Sequence, residues 1–266
     1  MKHISSSLII TTYNRPKALH IVLLSVLQQT KLPDEIIIAD DGSTQETRDL
    51  ILSLKDKFPI PLHHSWQEDT GFRLSASRNK AIALSKSDYI ILIDGDMLLQ
   101  KNYIEDHIKI IQKNTMYISS RVFLNEQKTK EIEESQNITI TYWDKQIQKN
   151  RHNQLRLNFL KYLLPKIKTF DKAKGYMAFW KQDCITVNGF DETYEGWGRE
   201  DSDFMMRMIH SGIKAYKIKG KCISYHLYHK EADRSLFLKN DKQLQEVIKS
   251  KKIKCKKGID QYLNIK

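Results

Sequence analysis

Short apolar runs and longer amphipathic stretches alternate over the first hundred residues. The runs SLIITTY, EIIIAD and YIILIDGD are rich in β-branched residues and have no regular polar alternation. The stretches between them, such as PKALHIVLLSVLQQ and TQETRDLILSLKDKF, have the apolar spacing of helices. Continuously apolar strands joined by helices are typical of a parallel sheet that is buried on both faces. The sequence therefore predicts an α/β fold, and its hydrophobic content of 40% is sufficient for a substantial core.

Polar side chains follow three of the predicted strands, in the ranges 11–14, 40–43 and 94–96. Pro16 suits the first turn of the first helix, and Ser43 or Thr44 suits the N-cap of the second. Ligands of open α/β sheets bind outside the carboxyl ends of the strands. We therefore expect the three polar ranges to share one crevice.

Asp94 and Asp96 stand at the end of the strand YIILID with a single glycine between them. Strand alternation directs both carboxylates to one side, where both could approach one divalent cation that carries phosphate oxygens. Carboxylates and diphosphate favour Mg²⁺ or Mn²⁺, and Mn²⁺ accepts a histidine ligand more readily. The alternative is a surface turn in which an aspartate caps the next helix.

The chain is strongly basic, with a formal net charge of +12. This charge favours an anionic partner, which could be nucleic acid, an acidic membrane surface or a phosphorylated substrate. Arg73 and Arg78 lie near the start of the helix predicted from GFRLSASRNKAI, where a diphosphate could meet them. Alternatively, both are surface arginines that pair with nearby acids.

The cysteines Cys184, Cys222 and Cys255 are odd in number and widely spaced, which fits free thiols in a reducing compartment. The apolar run near the start is too short for the core of a signal peptide, and no run approaches membrane-spanning length. We therefore expect an intracellular chain without a membrane-spanning helix.

Composition divides the chain into four segments. Residues 1–122 hold the alternating pattern, and residues 172–230 predict the strand GYMAFW, a turn-rich stretch, a helix and two further strands. Residues 123–171 predict a basic amphipathic helical insert, either solvated or facing an anionic membrane or a lipid-linked acceptor. Residues 231–266 form a basic tail that is helical at first, and we expect a solvated or membrane-facing appendage.

The motifs IITTYNRP, IIIADDGS, GFRLSASRNKAI and LIDGDM resemble, in the same order, those of inverting family 2 glycosyltransferases with the GT-A fold. The stretch from GYMAFW to GWGREDSDFMMRM is similar to the C-terminal region of β-1,4-galactosyltransferases, polypeptide GalNAc-transferases and many bacterial surface-polysaccharide transferases. GWGRED is its most specific element. The resemblance implies one Rossmann-like nucleotide-binding sheet merged with an acceptor-binding half. One departure is Tyr176, where relatives commonly have asparagine.

The resemblance also implies roles for individual residues. Asp96 would ligate Mn²⁺ or Mg²⁺ with a histidine on a late strand, for which His226 is the better match and His229 the alternate. Without the resemblance, a histidine that follows a strand is more often structural or exposed. Asp41 would contact the uracil ring. The nucleotide-sugar site as a whole would comprise Thr11, Tyr13, Arg15, Asp41, Arg78 and Asp94.

EGWGREDSDF places three acids in the first turn of a predicted helix. Acids suit the positive end of a helix dipole, so capping alone could account for them. Glu200 and Asp203 share a helix face, whereas Asp201 is turned about 100° from Glu200, so the three cannot serve one ligand. The resemblance assigns Asp201 to the catalytic base, Glu200 with Trp197 and Gly198 to acceptor or sugar binding, and Asp203 mainly to the helix start.

Together these implications predict a metal-dependent inverting hexosyl- or N-acetylhexosaminyltransferase. It would move a sugar from a UDP-sugar to a hydroxyl of a glycan or lipid-linked saccharide, in the synthesis of lipopolysaccharide core, O-antigen or capsule. We expect it in the cytoplasm, peripherally on the inner face of the bacterial membrane, without a nucleic-acid partner.

Three other classes fit parts of the sequence. A Mg²⁺-dependent phosphotransferase or phosphatase could use the D-x-D pair, although the haloacid-dehalogenase arrangement has that pair at the first strand. A non-catalytic nucleic-acid-binding module would account for the charge, although no recognised nucleic-acid motif is present. A donor-binding protein without activity would bind UDP-sugars and release no UDP.

Overall fold

The computed structural model describes residues 3–156, 165–169, 174–230 and 233–263. The first part contains β1 (Ser6–Thr12), α1 (Pro16–Leu27), β2 (Glu35–Asp40), α2 (Gln45–Lys55), β3 (Leu62–Trp66), α3 (Leu74–Leu84), β4 (Tyr89–Asp94), β5 (Met97–Leu99) and α4 (Tyr103–Ile110). The middle contains β6 (Thr115–Ile118), β7 (Ser120–Leu124), α5 (Glu126–Ser135), β8 (Ile147–Lys149), a 3-10 turn (Arg151–Gln154) and β9 (Lys166–Ile167). The last part contains β10 (Met177–Trp180), α6 (Lys181–Thr186), α7 (Glu200–His210), β11 (Lys214–Lys217), β12 (Ile223–His226), α8 (Phe237–Ser250) and α9 (Asp260–Leu263).

The large sheet has the strand order β3, β2, β1, β4, β10, β6, β11, β9. Its first four strands are parallel, and every residue of β1 and β2 is buried. The uninterrupted apolar runs therefore lie inside a sheet that is covered on both faces, which confirms the predicted α/β fold. Chain order reverses beside β1, because β2 lies on one side of it and β4 on the other. A crevice opens at such a switch point.

The other half of the large sheet is mixed. β10 is antiparallel to both of its neighbours, β4 and β6, and joins the two halves of the chain in one sheet. A second, four-stranded sheet has the order β5, β12, β7, β8. In it His226, the last residue of β12, pairs with Met97, the first residue of β5, so the end of β12 lies directly beside Asp96.

The helix starts agree with local sequence signals. Pro16 is the first residue of α1, where the missing N–H costs nothing. Thr44 occupies the N-cap position of α2 without a side-chain hydrogen bond. Ser43 instead accepts a hydrogen bond from the backbone N–H of Asn14, and so joins two loops.

The insert contains less helix than the sequence predicted. Helix α5 ends at Ser135, and the described residues after it form β8, the 3-10 turn, β9 and irregular loops. Turn-forming side chains interrupt the helical pattern: Asn137 accepts from the N–H of Thr139, and Asp144 accepts from that of Thr141. Much of the basic stretch, in the ranges 157–164 and 170–173, lies outside the described residues.

The tail is more than the solvated or membrane-facing appendage that the sequence predicted, because most of its described residues are exposed but one face packs into the protein. Leu244 and Val247 of α8 are buried, and Ile259 is fully buried in the main core. The sequence did not predict this packing, because exposed lysines surround these apolar residues along the chain. Across the described ranges, no helix has both the length and the apolar character required to cross a membrane.

Glu35 stabilises the end of the parallel strands that lies opposite the crevice. It begins β2, and its Oε1 accepts from Ser7 Oγ at 2.6 Å, Lys86 N at 2.8 Å and Ser87 Oγ at 3.0 Å. Burial alone would raise the pKa of Glu35, but these hydrogen bonds hold it below the usual value. The folded protein therefore favours the ionised form of Glu35.

Replacing Glu35 with glutamine should lower the free energy of unfolding by about 1–3 kcal/mol, because a neutral acceptor bonds these donors more weakly. Urea denaturation measures the change. Nucleotide affinity should stay unchanged, since the crevice lies at the other ends of the strands. Glu46→Gln, at an exposed position of α2, is the matched control; equal stability of the two variants would contradict this role.

Candidate active site

One pocket opens at the carboxyl ends of β1, β2 and β4. It contains six of the residues that the sequence analysis singled out, together with neighbours that it did not. The lining residues are Thr11, Thr12, Tyr13, Arg15, Asp41, Phe72, Leu74, Asp94, Gly95 and Asp96. The three polar ranges predicted to share a crevice therefore do so.

The loops after β1 and β2 are tied together by Asn14, which has a left-handed backbone with φ 48°. Its Oδ1 accepts from the N–H of Thr44 at 2.8 Å, and its own N–H donates to Ser43 Oγ at 2.9 Å. Asparagine tolerates this backbone region better than most residues. The motifs TTYNRP and DDGST thus form one joined rim of the pocket.

The adjacent acids Asp40 and Asp41 face different surroundings. Asp40 is fully buried and accepts from His64 Nε2 and the N–H of Ser43, both at 2.8 Å. Asp41 lines the pocket and accepts from the N–H of Arg73 at 2.8 Å and from the Gln67 side chain. Burial raises the pKa of Asp41 to about 6. Asp40 therefore fixes the loop, and Asp41 presents a carboxylate to the pocket.

Asp94 and Asp96 both line the pocket but have different partners. β4 ends at Asp94, and the turn through Gly95 redirects the chain before Asp96. A Cβ atom on Gly95 would lie 2.3 Å from the carbonyl oxygen of Thr11, so only glycine allows this turn to pack against β1. Asp94 joins an arginine network, whereas Asp96 joins two histidines.

Arg78 lies beneath the pocket and bridges the two halves of the chain. Its side chain is 1% exposed; Nη2 lies 3.3 Å from Asp94 Oδ1, and Nη1 lies 3.1 Å from Glu200 Oε1. Its guanidinium also stacks on the ring of Phe190, 5.0 Å from the centroid. Burial raises the pKa of Glu200 to about 7, with the neighbouring Asp201 charge as a second cause. The alternative of a surface arginine is therefore wrong for Arg78.

The three acids of GREDSDF separate as helical geometry predicted. Asp203 is fully buried in an ion pair with Arg207, whose Nη2 lies 2.6 Å from Asp203 Oδ2. Glu200 faces Arg78. Asp201 is only partly buried, and its charge contributes, after burial, to the raised pKa values of Asp94 and Glu200. Asp201 is thus near enough to Asp94 and Glu200 for its charge to act on both.

Asp96, His226 and His229 form a cluster with the chemistry of a metal site. One ligand atom from each lies within 4.8 Å of the other two. The Nε2 atoms of His226 and His229 lie 3.7 Å and 3.3 Å from the two carboxylate oxygens of Asp96. Arg15 Nη1 also donates to Asp96 Oδ2 at 2.9 Å. Asp96 Oδ1 is buried and has no hydrogen-bond partner among the described residues, which suits a cation ligand.

Sequence reasoning missed Arg121, a cation close to Asp94 and His226. Arg121 of β7 stacks on Phe123 and on Tyr176, with its guanidinium 4.3 Å and 4.8 Å from the two ring centroids. Its charge acts to lower the pKa values of both Asp94 and His226. No motif marks Arg121, because β7 belongs to the second sheet. The departure at Tyr176 was visible, and it could have indicated that this position faces the site.

The ring of Trp197 is less open than a flat sugar platform would require. It is 37% exposed, but Phe237 stacks against it with centroids 5.9 Å apart, and the Arg234 guanidinium lies 4.7 Å from its centroid. Both contacts come from the tail.

Two protein-family profiles match the chain. The profile described as Glycosyl transferase family 2 matches residues 7–188, which is more than half of the chain. A second profile, described as N-terminal domain of galactosyltransferase, matches residues 147–230. The two matches overlap over residues 147–188, which include β10.

Curated relatives include a hyaluronan synthase of Pasteurella multocida, 29% identical over 85% of this chain and 25% of the relative. A chondroitin synthase of Escherichia coli is 26% identical over 83% of this chain and 34% of the relative. WfaP of Escherichia coli, a UDP-Glc:α-D-GlcNAc-diphosphoundecaprenol β-1,3-glucosyltransferase, is 30% identical over 42% of this chain and 43% of the relative. The chain spans a quarter to about half of the length of the first curated relatives that it matches.

Solved structures with the same fold include TarS of S. aureus. The structure of its residues 1–349 with UDP-GlcNAc matches with a TM-score of 0.68 and 16% identity. The match covers 98% of this chain and 70% of that one. At this identity the likeness shows the fold alone, and it agrees with the predicted GT-A fold.

Asp203→Asn should destabilise the protein by about 3–5 kcal/mol, because it leaves the Arg207 charge buried without its counter-ion. Chemical denaturation measures the loss. Asp201→Asn is the matched control in the same helical turn and should leave stability nearly unchanged, since Asp201 is not in a buried ion pair. The assignment of Asp203 to structure would be contradicted by equal effects of the two variants.

Proposed function

We propose that this chain, which belongs to glycosyl transferase family 2, transfers a sugar from a UDP-sugar to a glycan hydroxyl with inversion, in bacterial polysaccharide synthesis. One observation carries the proposal. The donor-type pocket at the ends of β1, β2 and β4 meets the acids at the start of α7 through Arg78, which contacts both Asp94 and Glu200. A donor and an acceptor could thus meet above the buried guanidinium of Arg78.

The donor would bind with its base beside Asp41. The imide N–H of uracil is a donor, and Asp41 offers a carboxylate that is ionised above a pKa of about 6. Thr11 and Tyr13 would line the same pocket, with Asp94 toward ribose or sugar. The family match and the UDP-GlcNAc complex of the structurally similar TarS support a UDP-sugar as the donor.

Asp96 with His226 and His229 would hold a divalent cation, Mn²⁺ or Mg²⁺. One carboxylate and two neutral imidazoles suit Mn²⁺ better than Mg²⁺. Arg15, which donates to Asp96, lies where it would also meet a diphosphate. When bound, such an ion would neutralise charge on the departing diphosphate.

Asp201 would act as the catalytic base. As the acceptor oxygen forms its bond to the anomeric carbon, Asp201 would take the hydroxyl proton, and the bond from that carbon to the diphosphate would break with its electron pair on the leaving oxygen. Attack opposite the leaving group inverts the anomeric centre. Glu200, Trp197 and Gly198 would hold the acceptor, since all three lie in the segment that leads into Asp201.

The acceptor would be a glycan or lipid-linked saccharide, reached from the cytoplasmic face of the membrane. WfaP, whose name gives a diphosphoundecaprenol-linked sugar as its acceptor, supports a lipid-linked acceptor. The formal charge of +12 supports attraction to an anionic membrane surface, with the enzyme bound peripherally.

Asp201→Asn should reduce transfer by about 10²- to 10⁴-fold, because the amide cannot accept the proton. UDP binding should remain within about twofold, since Asp201 borders the acceptor side. UDP release with a panel of acceptors measures transfer, and calorimetry measures binding. Asp56→Asn, at an exposed position, is the control; near-normal turnover of Asp201→Asn would sink the assignment.

Asp96→Asn should weaken Mn²⁺ binding at least about 100-fold, because it removes the charged member of the cluster. Titration of the protein with Mn²⁺, followed by electron paramagnetic resonance, gives the affinity without any sugar. His226→Ala and His229→Ala should each weaken binding as well. Asp94→Asn is the matched carboxylate control and should retain Mn²⁺; loss of Mn²⁺ in this control alone would move the site to Asp94.

A further inference from the structure

The tail helix α8 begins against the loop that carries Trp197, which we call the acceptor loop and define as residues 195–199. Asn240, one turn into α8, is fully buried. Its Nδ2 donates to the carbonyl oxygens of Glu195 and Gly198, both at 3.0 Å. One side chain of the tail thus bonds both ends of the Gly-Trp-Gly turn.

The same helix lies against both glycines of that turn. Gly196 and Gly198 have left-handed backbones, with φ 68° and 103°. A Cβ atom on Gly196 would lie 3.0 Å from Leu236, and one on Gly198 would lie 3.2 Å from Phe237. The motif therefore needs glycine for its backbone and for the close approach of the tail.

Side-chain contacts complete the attachment. Phe237 stacks on Trp197. The guanidinium of Arg199 in turn lies over the ring of Phe237, 4.8 Å from its centroid. Arg199 Nη2 also pairs with Asp241 Oδ1 at 2.6 Å. Arg199 immediately precedes α7, so the tail reaches the residue next to Glu200 and Asp201.

The tail helix can hold the loop because it is itself held. Leu244 and Val247 follow Asn240 on the same helix face and are buried. Gln243 Nε2 donates to Thr193 Oγ1 at 2.6 Å, which ties α8 to the chain just before the loop. A fixed helix that donates to two loop carbonyls leaves the loop few alternative conformations.

We infer that Asn240 is a positioning residue of the acceptor site, and that α8 sets the conformation of Trp197 and the start of α7. The inference rests on the proposed function for what it says of acceptors. The donor pocket is formed mainly by other segments, the loops after β1, β2 and β4 with Phe72 and Leu74. The acceptor loop touches this lining where the N–H of Gly196 donates to the carbonyl of Phe72 at 3.3 Å. Loss of Asn240 should therefore impair acceptor use far more than nucleotide binding.

The experiment compares Asn240→Ala and Asn240→Asp with the wild type; the aspartate keeps the shape of the side chain but cannot donate. Hydrogen exchange of the backbone amides of residues 195–203 should become about tenfold faster in both variants. UDP affinity should change less than about twofold. The acceptor KM should rise and kcat should fall, together by about 10- to 100-fold in kcat/KM. Gln245→Ala, an exposed amide on the same helix, is the matched control and should change none of these.

Phe237→Ala tests the same attachment with less risk to folding, because Phe237 is only partly buried. It should also speed exchange in the acceptor loop and raise the acceptor KM. Unchanged hydrogen exchange in this variant and in Asn240→Asp would overturn the inference. A loss of UDP affinity as large as the loss in acceptor kcat/KM would overturn it as well. If the wild type releases no UDP with any acceptor, the proposed function fails, and the exchange measurements still decide whether Asn240 holds the loop.

Discussion

The buried charge of Arg78 is the interaction on which the site depends. The guanidinium is 1% exposed and contacts carboxylates from two distant parts of the chain, Asp94 at the end of β4 and Glu200 at the start of α7. A buried cation that loses a counter-ion costs several kcal/mol, so the two carboxylates are held at fixed positions around it. The parallel sheet and α7 are thereby held in one relative position, and the pocket forms between them.

Acidic residues close in sequence divide their roles in two places. Asp40 is buried against His64, while Asp41 faces the pocket; Asp203 is buried against Arg207, while the charge of the partly buried Asp201 acts on Asp94. In each case the paired acid fixes the backbone from which the other projects. This arrangement places a carboxylate in a partly dry site without requiring that same carboxylate to stabilise the fold.

The parallel half of the fold and its pocket could be predicted because their signals are local. An apolar run, a polar strand end and a helix start lie within a few residues of one another, and a parallel sheet brings such strand ends together. The insertion of β10 between β4 and β6 could not be predicted, because strand pairing across the chain leaves no periodic signal. Arg121 and Asn240 were missed for the same reason: each acts through contacts with residues that are distant in sequence. The different partners of Asp94 and Asp96 follow from the turn through Gly95, which the alternation rule does not describe.

The pairing of β12 with β5 has a consequence for the order in which the protein matures. His226 lies opposite Met97, and the N–H of Leu227 donates to the carbonyl of Asp96 at 2.9 Å, so strand register alone brings the histidines to that aspartate. A slip of one residue would turn His226 to the other face of the sheet. During synthesis Asp96 leaves the ribosome long before either histidine. The three-residue cluster can therefore form only once β12 has followed β5 out of the ribosome and paired with it.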